Sequence, residues 1–260
     1  MESNDNHEYI TLYCAHCGQS YSVPQPCKNR FCSVCGYSRL SKVRRKLNYL
    51  VKRQVKSQKQ DCRFLTLTIK NITNLPVMVK SLQKSFRRLR QRSFWKRKVT
   101  GGAFVIEVTK SGDKWHAHIH AIIAGDYIPF DTLLKHWMKV STGRGVYIKQ
   151  VPTNNLVGYL TKYISKSGDG VNSYDEYIVS DSLAGVKLFQ PFGNWFGWVA
   201  DFKPERPCCR TCGSNAGFIS QFELDHLEID IQELLENCNS PPVIPIQESL
   251  DIFSSYIDPF

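Results

Sequence analysis

A chain of 260 residues, of which 42% are hydrophobic and 12% aromatic, can bury the core of one sizeable domain and a smaller module. It contains no apolar run approaching the roughly 20 residues that span a bilayer, and its first residues lack the basic and apolar segments of a signal peptide. These features argue against a membrane-spanning or secreted protein and predict a cytoplasmic one.

The formal net charge of +11 is unevenly distributed along the chain. Residues 221–260 contain nine acidic side chains and no lysine or arginine, whereas residues 1–220 contain all 34 lysines and arginines and 14 acidic residues. Such a basic body indicates a polyanionic partner, most simply nucleic acid, because contacts to phosphates supply salt-dependent affinity. The alternative is that the positive charge only keeps the protein in solution. Charge alone does not distinguish this from nucleic-acid binding, whereas the sequence motifs can.

Paired cysteines dominate the first part of the chain. Two pairs with the spacing Cys-x2-Cys, separated by a loop, are how short chains hold zinc, and so short a segment has little core of its own. In a cytoplasmic protein, cysteines favour metal ligation over disulfides. The predicted structural zinc ligands are Cys14, Cys17, Cys32 and Cys35. Cys27 and His16 are further candidates, and buried cysteines without a metal are the simpler alternative.

Residues 39–59 predict a basic amphipathic helix. Four apolar residues recur at intervals of three and four and form one stripe. They are Leu40, Val43, Leu47 and Leu50. Nine basic side chains lie around them, including Arg44 and Arg45. We expect this helix to connect the zinc-binding segment to the main domain and to contact phosphates, with a solvated charged face as the alternative.

Residues 61–170 alternate between strand and helix signals. Residues 64–69 are rich in strand-forming side chains, and Gly101 and Gly102 are expected to end the helix that begins near Pro76. The predicted elements are a strand at 64–69, a helix from 76 to about 98, strands at 103–109 and 115–123 joined by a hairpin, a helix from 131 or 132 to 140, a strand at 146–151 and a helix from 153 or 154 to about 166. This order predicts an α+β fold with a ferredoxin-like or RRM-like antiparallel sheet (βαββαβ), whose open face takes the last helix.

Three histidines at alternate positions mark the third predicted strand. His116, His118 and His120 share one strand face, while apolar residues share the other. If the hairpin turns on residues 112–113, Glu107 lies opposite His118, whereas a shift of one residue would move it to the other face. A carboxylate in an apolar strand needs a partner, so Glu107, His118 and His120 are predicted to hold a catalytic metal ion, with His116 in support. A half-buried strand with outward-facing histidines is the simpler alternative.

Two tyrosines and two lysines lie together on the last predicted helix. Tyr159 and Tyr163 are four residues apart and share a helix face, with Lys162 and Lys166 close by. Beside a metal ion, a tyrosine hydroxyl can attack a phosphodiester and form a phosphotyrosine, while the lysines stabilise the developing charge. Packing of both tyrosines in an amphipathic helix is the alternative, which the nearby histidine strand disfavours.

The last third of the chain carries weaker signals. Residues 183–203 are rich in aromatic side chains, which suit a small packed subdomain or the stacking of unpaired bases. Three further cysteines suggest part of a second zinc site, with His226 or Cys238 as the fourth ligand. They are Cys208, Cys209 and Cys212. The predicted division is a zinc-binding module with its basic helix (1–60), a catalytic core (61–170), an aromatic and cysteine-rich extension (171–220) and an acidic tail (221–260).

Together these motifs resemble the HUH superfamily of rolling-circle replication initiators, in its two-tyrosine form. His118-Ile119-His120 resembles the motif that names the superfamily, and residues 64–68 and 159–163 resemble its first and third motifs. Residues 27–35 are similar to the N-terminal cysteine segment of plasmid replication (Rep) proteins. The matches cover residues 14–166 in the order of the family. Some plasmid initiators carry glutamate at the position of Tyr159, which leaves the role of that tyrosine open.

The resemblance implies a metal-dependent DNA endonuclease and strand transferase that acts at a replication origin. Tyr163 would attack the scissile phosphate, become linked to the 5′ end and release a 3′ hydroxyl, and Tyr159 would perform the second transfer. The implied cofactor is Mg²⁺ or Mn²⁺, and the implied partners are single-stranded origin DNA and a host polymerase. A host helicase is also implied, because the chain has no GxxxxGK[ST] motif and therefore no helicase of its own. The candidate DNA contacts are Arg44, Arg45, Arg87 and Arg88.

Two other functions remain open. A transposase of the two-tyrosine HUH type would carry the same motifs and differ in its DNA substrates. A non-catalytic, zinc-containing nucleic-acid-binding protein would use the histidines structurally. A covalent adduct with single-stranded DNA that resists denaturants would distinguish either nuclease from the binding protein.

Overall fold

The computed structural model describes residues 7–27, 29–143, 145–164, 170–204 and 208–226. These residues fall into two compact units. The larger unit lies within residues 29–202, and the smaller one combines residues from both ends of the chain, before residue 29 and after residue 202. The sequence-based division into four consecutive segments contains no such joining of the ends. In the described part of the chain, no helix has the length and apolar character needed to cross a membrane.

The described residues form eight strands and eight helices. The strands are β1 (Tyr9–Cys14), β2 (Ser20–Pro24), β3 (Cys62–Thr68), β4 (Val99–Ser111), β5 (Lys114–Gly125), β6 (Val146–Gln150), β7 (Gln190–Gly193) and β8 (Phe218–Ser220). The helices are α1 (Ser33–Gln58), α2 (Leu75–Arg90), α3 (Ser93–Lys98), α4 (Phe130–Val140), α5 (Thr153–Thr161), α6 (Ser173–Ser182), α7 (Asn194–Ala200) and α8 (Gln221–His226).

The larger unit is built on a five-stranded sheet in the order β6-β3-β5-β4-β7, with every neighbouring pair antiparallel. From β3 to β6 the elements follow as strand, helix, strand, strand, helix, strand, with the short α3 inserted before β4. The smaller unit has a three-stranded antiparallel sheet in the order β2-β1-β8. The prediction of a mixed α+β fold with antiparallel strands is thereby confirmed, while the edge strand β7 was not predicted.

Strand β5 separates two hydrophobic cores because its successive side chains point to opposite faces of the sheet. Trp115 and Ile119 belong to the core formed with α2 and α4. Ile122 belongs to the second core, formed with α1, α5 and α7. By the same alternation, His118 and His120 lie on the face of Ile122. The face expected to receive only the last helix is therefore also covered by the basic helix α1 and by α7.

The helix predicted for residues 76–98 is two helices, α2 and α3. Its start is as expected, since the Asn74 side chain accepts a hydrogen bond from the backbone N–H of Val77 (3.1 Å). Arg92, however, has an extended backbone (φ −67°, ψ 142°), so α3 begins separately. This break directs Trp95 into the first core, where it is buried. Burying a large apolar side chain contributes roughly 1.5–3 kcal/mol, which favours this arrangement.

Gly101 and Gly102, expected to end that helix, lie inside strand β4. A Cβ atom at Gly102 would lie 2.2 Å from the carbonyl oxygen of Ile122 and 2.7 Å from the ring of Phe192. Glycine within a strand often marks such a close approach of another backbone. The two glycines therefore serve the packing of β4 against its neighbours.

Gly102→Ala is expected to destabilise the larger unit by about 1–3 kcal/mol, because the added methyl group overlaps a backbone carbonyl in the neighbouring strand. Gly158→Ala is the matched control, since nothing lies within 4 Å of its Cβ position and alanine favours a helix over glycine by about 1 kcal/mol. Urea unfolding followed by circular dichroism measures both changes. Equal stability of Gly102→Ala and the wild type would contradict the close packing of β4 and β5.

Candidate active site

The position of the site depends on how β4 pairs with β5. Their hairpin pairs Ser111 with Lys114 and places Glu107 directly opposite His118. This is the register expected from a turn at residues 112–113, and it is confirmed. Directly opposite and diagonal side chains on one sheet face lie within contact range of each other. Glu107 is therefore on the same face as the predicted histidine ligands.

The contact between Glu107 and His120 is the best-defined interaction of the site. The Glu107 Oε2 atom lies 2.7 Å from His120 Nε2, and the Thr66 hydroxyl lies 3.1 Å from His120 Nδ1. His120 is only 5% exposed, and its ring stacks on Phe64 with centroids 5.8 Å apart. Both nitrogens of His120 thus contact side chains from two different strands, β4 and β3.

This pair of donors suits a divalent cation. A carboxylate oxygen and an imidazole nitrogen are common ligands of such ions, and Glu107 Oε2 and His120 Nε2 already face each other. A metal-bound histidine usually donates its other N–H to a nearby oxygen, which fixes its tautomer and orientation. The Thr66 hydroxyl is in position to accept that hydrogen bond. No sequence motif indicates this role for Thr66.

His118 is less closely associated with the pair. Its ring centroid lies 6.0 Å from that of His120. Burial lowers the pKa of His118, and His120 acts in the same direction, so its imidazole is neutral at neutral pH and keeps a lone pair. However, Glu107, His118 and His120 are not among the groups of described residues whose ligand atoms all lie within 4.8 Å of one another. The His118 side chain would have to move to share an ion with the other two. His116 lies further along the same face, opposite Thr109.

Tyr163 packs flat on His120. The two ring centroids are 3.6 Å apart and the ring planes are inclined by 5°. Phe64 is close to both tyrosines, with its centroid 5.8 Å from that of Tyr159 and 6.2 Å from that of Tyr163. Aromatic pairs of this kind contribute about 0.5–1.5 kcal/mol each beyond the burial of their area. The structure thus brings the predicted nucleophile into direct contact with a predicted metal ligand.

The backbone that carries Tyr163 is not helical, so the prediction of a helix to about residue 166 is wrong. Helix α5 ends at Thr161, and the N–H of Tyr163 donates to the carbonyl of Leu160 (3.3 Å) in a tighter turn. The hydroxyl of Thr161 donates to the carbonyl of Val157 (2.8 Å), a bond that competes with regular helical pairing. The predicted participant Lys166 lies outside the described residues.

Lys162 lies close to both tyrosine rings. Its Nζ atom is 4.6 Å from the ring centroid of Tyr163 and 5.5 Å from that of Tyr159. A hydrogen bond with Tyr163 raises the pKa of Lys162, so the ammonium group is charged throughout the physiological pH range. A positive charge held here can stabilise negative charge on a phenolic oxygen.

The four arginines predicted to contact DNA lie on two different faces of the larger unit. Arg44 and Arg45 are exposed on α1, which packs against α5 on the face that carries the site. Arg87 and Arg88 are exposed on α2, which covers the opposite face. Of these four, the pair on α1 is on the same side of the sheet as Tyr163.

The cysteines group differently from the prediction. In the smaller unit, the sulfur atoms of four cysteines lie within 4.8 Å of one another, a set compatible with zinc. They are Cys14, Cys17, Cys209 and Cys212. The structure therefore does not assemble Cys14 and Cys17 with Cys32 and Cys35. The Cys32 sulfur accepts a hydrogen bond from the N–H of Cys35 (3.3 Å) at the start of α1.

The remaining cysteine and histidine candidates are not part of this four-cysteine group. Cys208 is exposed, and His16 contributes its backbone N–H, which lies 3.4 Å from the Cys14 sulfur. Cys27 and His226 are also outside the group, and Cys238 lies outside the described residues. Both cysteine pairs of the group have the pattern Cys-x2-Cys-Gly. Cys32 and Cys35, followed by Gly36, have the same pattern, so the spacing alone could not show which two pairs come together.

The fold and the site define an α+β protein in which a histidine–carboxylate pair lies beneath a tyrosine on an antiparallel sheet. A family model described as "Replication protein" matches residues 20–142, a range that contains Glu107, His118 and His120. No solved structure matches the chain.

Two curated relatives lead to the same family. The chain is 33% identical over 102 residues to Protein rep of Streptococcus pneumoniae serotype 2, a match that covers 37% of this chain and 32% of that relative. It is 32% identical over 161 residues to Protein rep of Staphylococcus aureus, which covers 55% of this chain and 70% of that relative. The chain thus spans about a third of the streptococcal relative and more than two thirds of the staphylococcal one. The chain belongs to the replication protein (Rep) family.

Proposed function

We propose that this chain initiates rolling-circle replication of a plasmid by nicking one strand of origin DNA, with Tyr163 as the nucleophile. The observation that carries the proposal is the flat stack of Tyr163 on His120, whose Nε2 atom lies 2.7 Å from the Glu107 carboxylate. Catalysis of phosphoryl transfer by a covalent route requires a nucleophile beside groups that stabilise charge on the phosphate. Membership of the Rep family supports the same function.

The sheet topology supports an HUH-type mechanism. In the order β6-β3-β5-β4, the first and third strands of the β-α-β-β-α-β unit are central, as in the ferredoxin-like arrangement expected from the sequence. Helices α2 and α4 cover one face, while β3, β4 and β5 present Thr66, Glu107 and His120 on the other. The last helix of the pattern, α5, brings the tyrosines to that second face.

Glu107 and His120 would hold Mg²⁺ or Mn²⁺, with His118 as a third ligand after a movement of its side chain. A divalent ion bound there supplies Lewis-acid polarisation of the scissile phosphate. Thr66 orients the His120 ring through Nδ1, and Phe64 supports it from one side. These contacts hold the ring in one orientation.

In the proposed step, the phenolic oxygen of Tyr163 forms a bond to the scissile phosphorus as the bond from phosphorus to the preceding 3′ oxygen breaks. The phenolic proton passes to solvent, and the departing 3′ oxygen takes up a proton. The products are a 5′-phosphotyrosyl end and a 3′ hydroxyl that a host polymerase can extend after a host helicase separates the strands. The charge of Lys162 stabilises the phenolic oxygen, and Tyr159, near the same ammonium group, is the candidate for the second transfer.

The basic helix α1 is the proposed path of the single strand toward the site. Arg44 and Arg45 are exposed on it and lie on the face that carries Tyr163. Arg87 and Arg88 are exposed on the opposite face, so one short strand bound at the site cannot contact both pairs. We therefore assign the phosphate contacts to the pair on α1.

Replacing Arg44 and Arg45 together by alanine is expected to lower the salt dependence of single-stranded DNA binding by about 0.7 in the logarithmic slope for each phosphate that is no longer neutralised. Replacing Arg87 and Arg88 removes the same charge from the opposite face and is expected to leave the slope unchanged. Fluorescence anisotropy of a labelled oligonucleotide over a range of salt concentrations measures both. Equal effects of the two double variants would contradict a path along α1.

Covalent capture tests the nicking function directly. A labelled single-stranded oligonucleotide from the origin of the replicon that encodes this chain, incubated with Mn²⁺, is expected to form a protein–DNA adduct that resists denaturants. A non-catalytic DNA-binding protein would form none. A transposase of the same chemistry would form the adduct with the ends of a mobile element and not with origin DNA.

A further inference from the structure

We propose that the two ends of the chain fold together around one zinc ion, held by the four-cysteine group. The distances between sulfur atoms carry this inference: Cys14 is 3.8 Å from Cys212, and Cys17 is 3.7 Å from Cys209. Zinc–sulfur bonds of about 2.3 Å in a tetrahedron separate the sulfurs by about 3.8 Å. A disulfide would join them at about 2.05 Å. The observed distances therefore fit four thiolates around one tetrahedral ion.

The two halves of the group have the same backbone geometry although they lie at opposite ends of the chain. In the first, the N–H of Gly18 donates to the carbonyl of Cys14 (2.9 Å); in the second, the N–H of Gly213 donates to the carbonyl of Cys209 (2.9 Å). In both, the N–H of the first cysteine donates to the carbonyl five residues later (3.0 and 2.8 Å). The two glycines have φ values of +70° and +71°, which favour glycine. Each half is thus a tight loop that presents two sulfurs to one point.

The smaller unit has little else to hold it together. Among its described residues, Leu12 and Leu224 are the buried hydrophobic side chains besides the cysteines. Strand β1 pairs with β8, and the Tyr21 hydroxyl lies 3.1 Å from the Cys209 sulfur. A unit with so small a core usually needs a metal or a disulfide to be stable, and structural zinc supplies folding free energy directly.

The chemistry of the ligands favours zinc. Four soft thiolates in a tetrahedron select zinc over Mg²⁺ and Mn²⁺, which prefer oxygen ligands. All four tetrahedral positions are filled by protein, as in structural zinc sites, which leaves no open position for a substrate. This ion would therefore tie the N-terminal hairpin to the C-terminal strand, and its residues are separate from those of the proposed nicking site.

Zinc content of purified variants of the full chain tests the proposal. Cys209→Ser is expected to lose one equivalent of bound zinc per chain, measured by elemental mass spectrometry after gel filtration. Cys208→Ser, at the adjacent exposed position outside the group, is expected to lose none. Because both halves hold the same ion, Cys14→Ser should lose the same equivalent, and the Cys14→Ser/Cys209→Ser double variant no more than either single one. Unchanged zinc in Cys209→Ser, a loss of two equivalents in the double variant, or iron in place of zinc would overturn the proposal.

Alkylation of the wild-type chain avoids any dependence on the folding of variants. The four cysteines are expected to resist iodoacetamide together and to become reactive together when a chelator is added, as followed by peptide mass spectrometry. Cys208 should react from the start. Modification of Cys14 and Cys17 while Cys209 and Cys212 stay protected would contradict a shared ion. Neither experiment uses DNA, so failure of this proposal is distinguishable from failure of the nicking function.

Discussion

Tyr163→Phe is expected to abolish the covalent adduct with single-stranded origin DNA and to lower nicking on the order of 10³-fold or more, the scale of losing a nucleophile. The variant lacks the oxygen that is proposed to bond to phosphorus but keeps the ring that stacks on His120, so its fold and DNA affinity should remain close to those of the wild type. Gel separation of the adduct under denaturing conditions, with a labelled oligonucleotide and Mn²⁺, provides the measurement.

Two other tyrosine variants control this experiment. Tyr159→Phe is expected to keep the first adduct and to lose the second strand transfer, because Tyr159 is the second tyrosine near Lys162. Tyr174→Phe removes an exposed hydroxyl from α6, a helix that contacts α2 on the other face, and is expected to change neither reaction. Full adduct formation by Tyr163→Phe would reject this tyrosine as the nucleophile. If Tyr159 attacks in its place, the adduct should disappear in the Tyr159→Phe/Tyr163→Phe double variant.

The register of β4 and β5 could be predicted from the sequence because a short turn fixes it. With two residues at the turn, every pair from Ser111–Lys114 to Gly101–Ala124 follows, including Glu107 opposite His118, and the register shifts only beyond Gly101. Alternation of polar and apolar residues then assigns each side chain to a face. The position of the turn at residues 112–113 is therefore enough to predict which residues of the two strands lie opposite each other at the site, and the rest of the fold is not needed.

Features set by distant or competing contacts could not be predicted in this way. At the end of α5 the Thr161 hydroxyl donates to the carbonyl of Val157, and two residues later Tyr163 stacks on His120 from another element. The grouping of Cys14 with Cys212 joins positions 198 residues apart in the chain, and no local spacing indicates such a pairing. The role of Thr66 appears only when β3 is placed beside β5.

Glu107→Gln is expected to lower nicking by about 10²- to 10³-fold, since Lewis-acid catalysis by a metal contributes several kcal/mol. The amide can still hydrogen-bond to His120, so the local packing should persist while the negative charge that attracts the cation is removed. The rate of adduct formation as a function of Mn²⁺ concentration is the measurement. We expect the variant to require more Mn²⁺ than the wild type and to bind DNA with unchanged affinity.

A substitution at Thr66 tests metal binding by His120 more specifically than Glu107→Gln does. The Thr66 hydroxyl contacts His120 on the side of the ring away from Glu107. If His120 Nε2 binds the ion, Thr66→Val should shift the Mn²⁺ requirement by about 10–100-fold, as loss of an outer hydrogen bond to a metal-bound histidine does, with the maximal rate recovered at saturating Mn²⁺. Thr66→Ser keeps the hydroxyl and should have the same Mn²⁺ requirement as the wild type.

A lower maximal rate in Thr66→Val with an unchanged Mn²⁺ requirement would mean that His120 acts on Tyr163 through their stacked rings and is not a metal ligand. The two candidate roles of His120, as a metal ligand and as support for the proposed nucleophile, are therefore distinguished by one methyl-for-hydroxyl exchange.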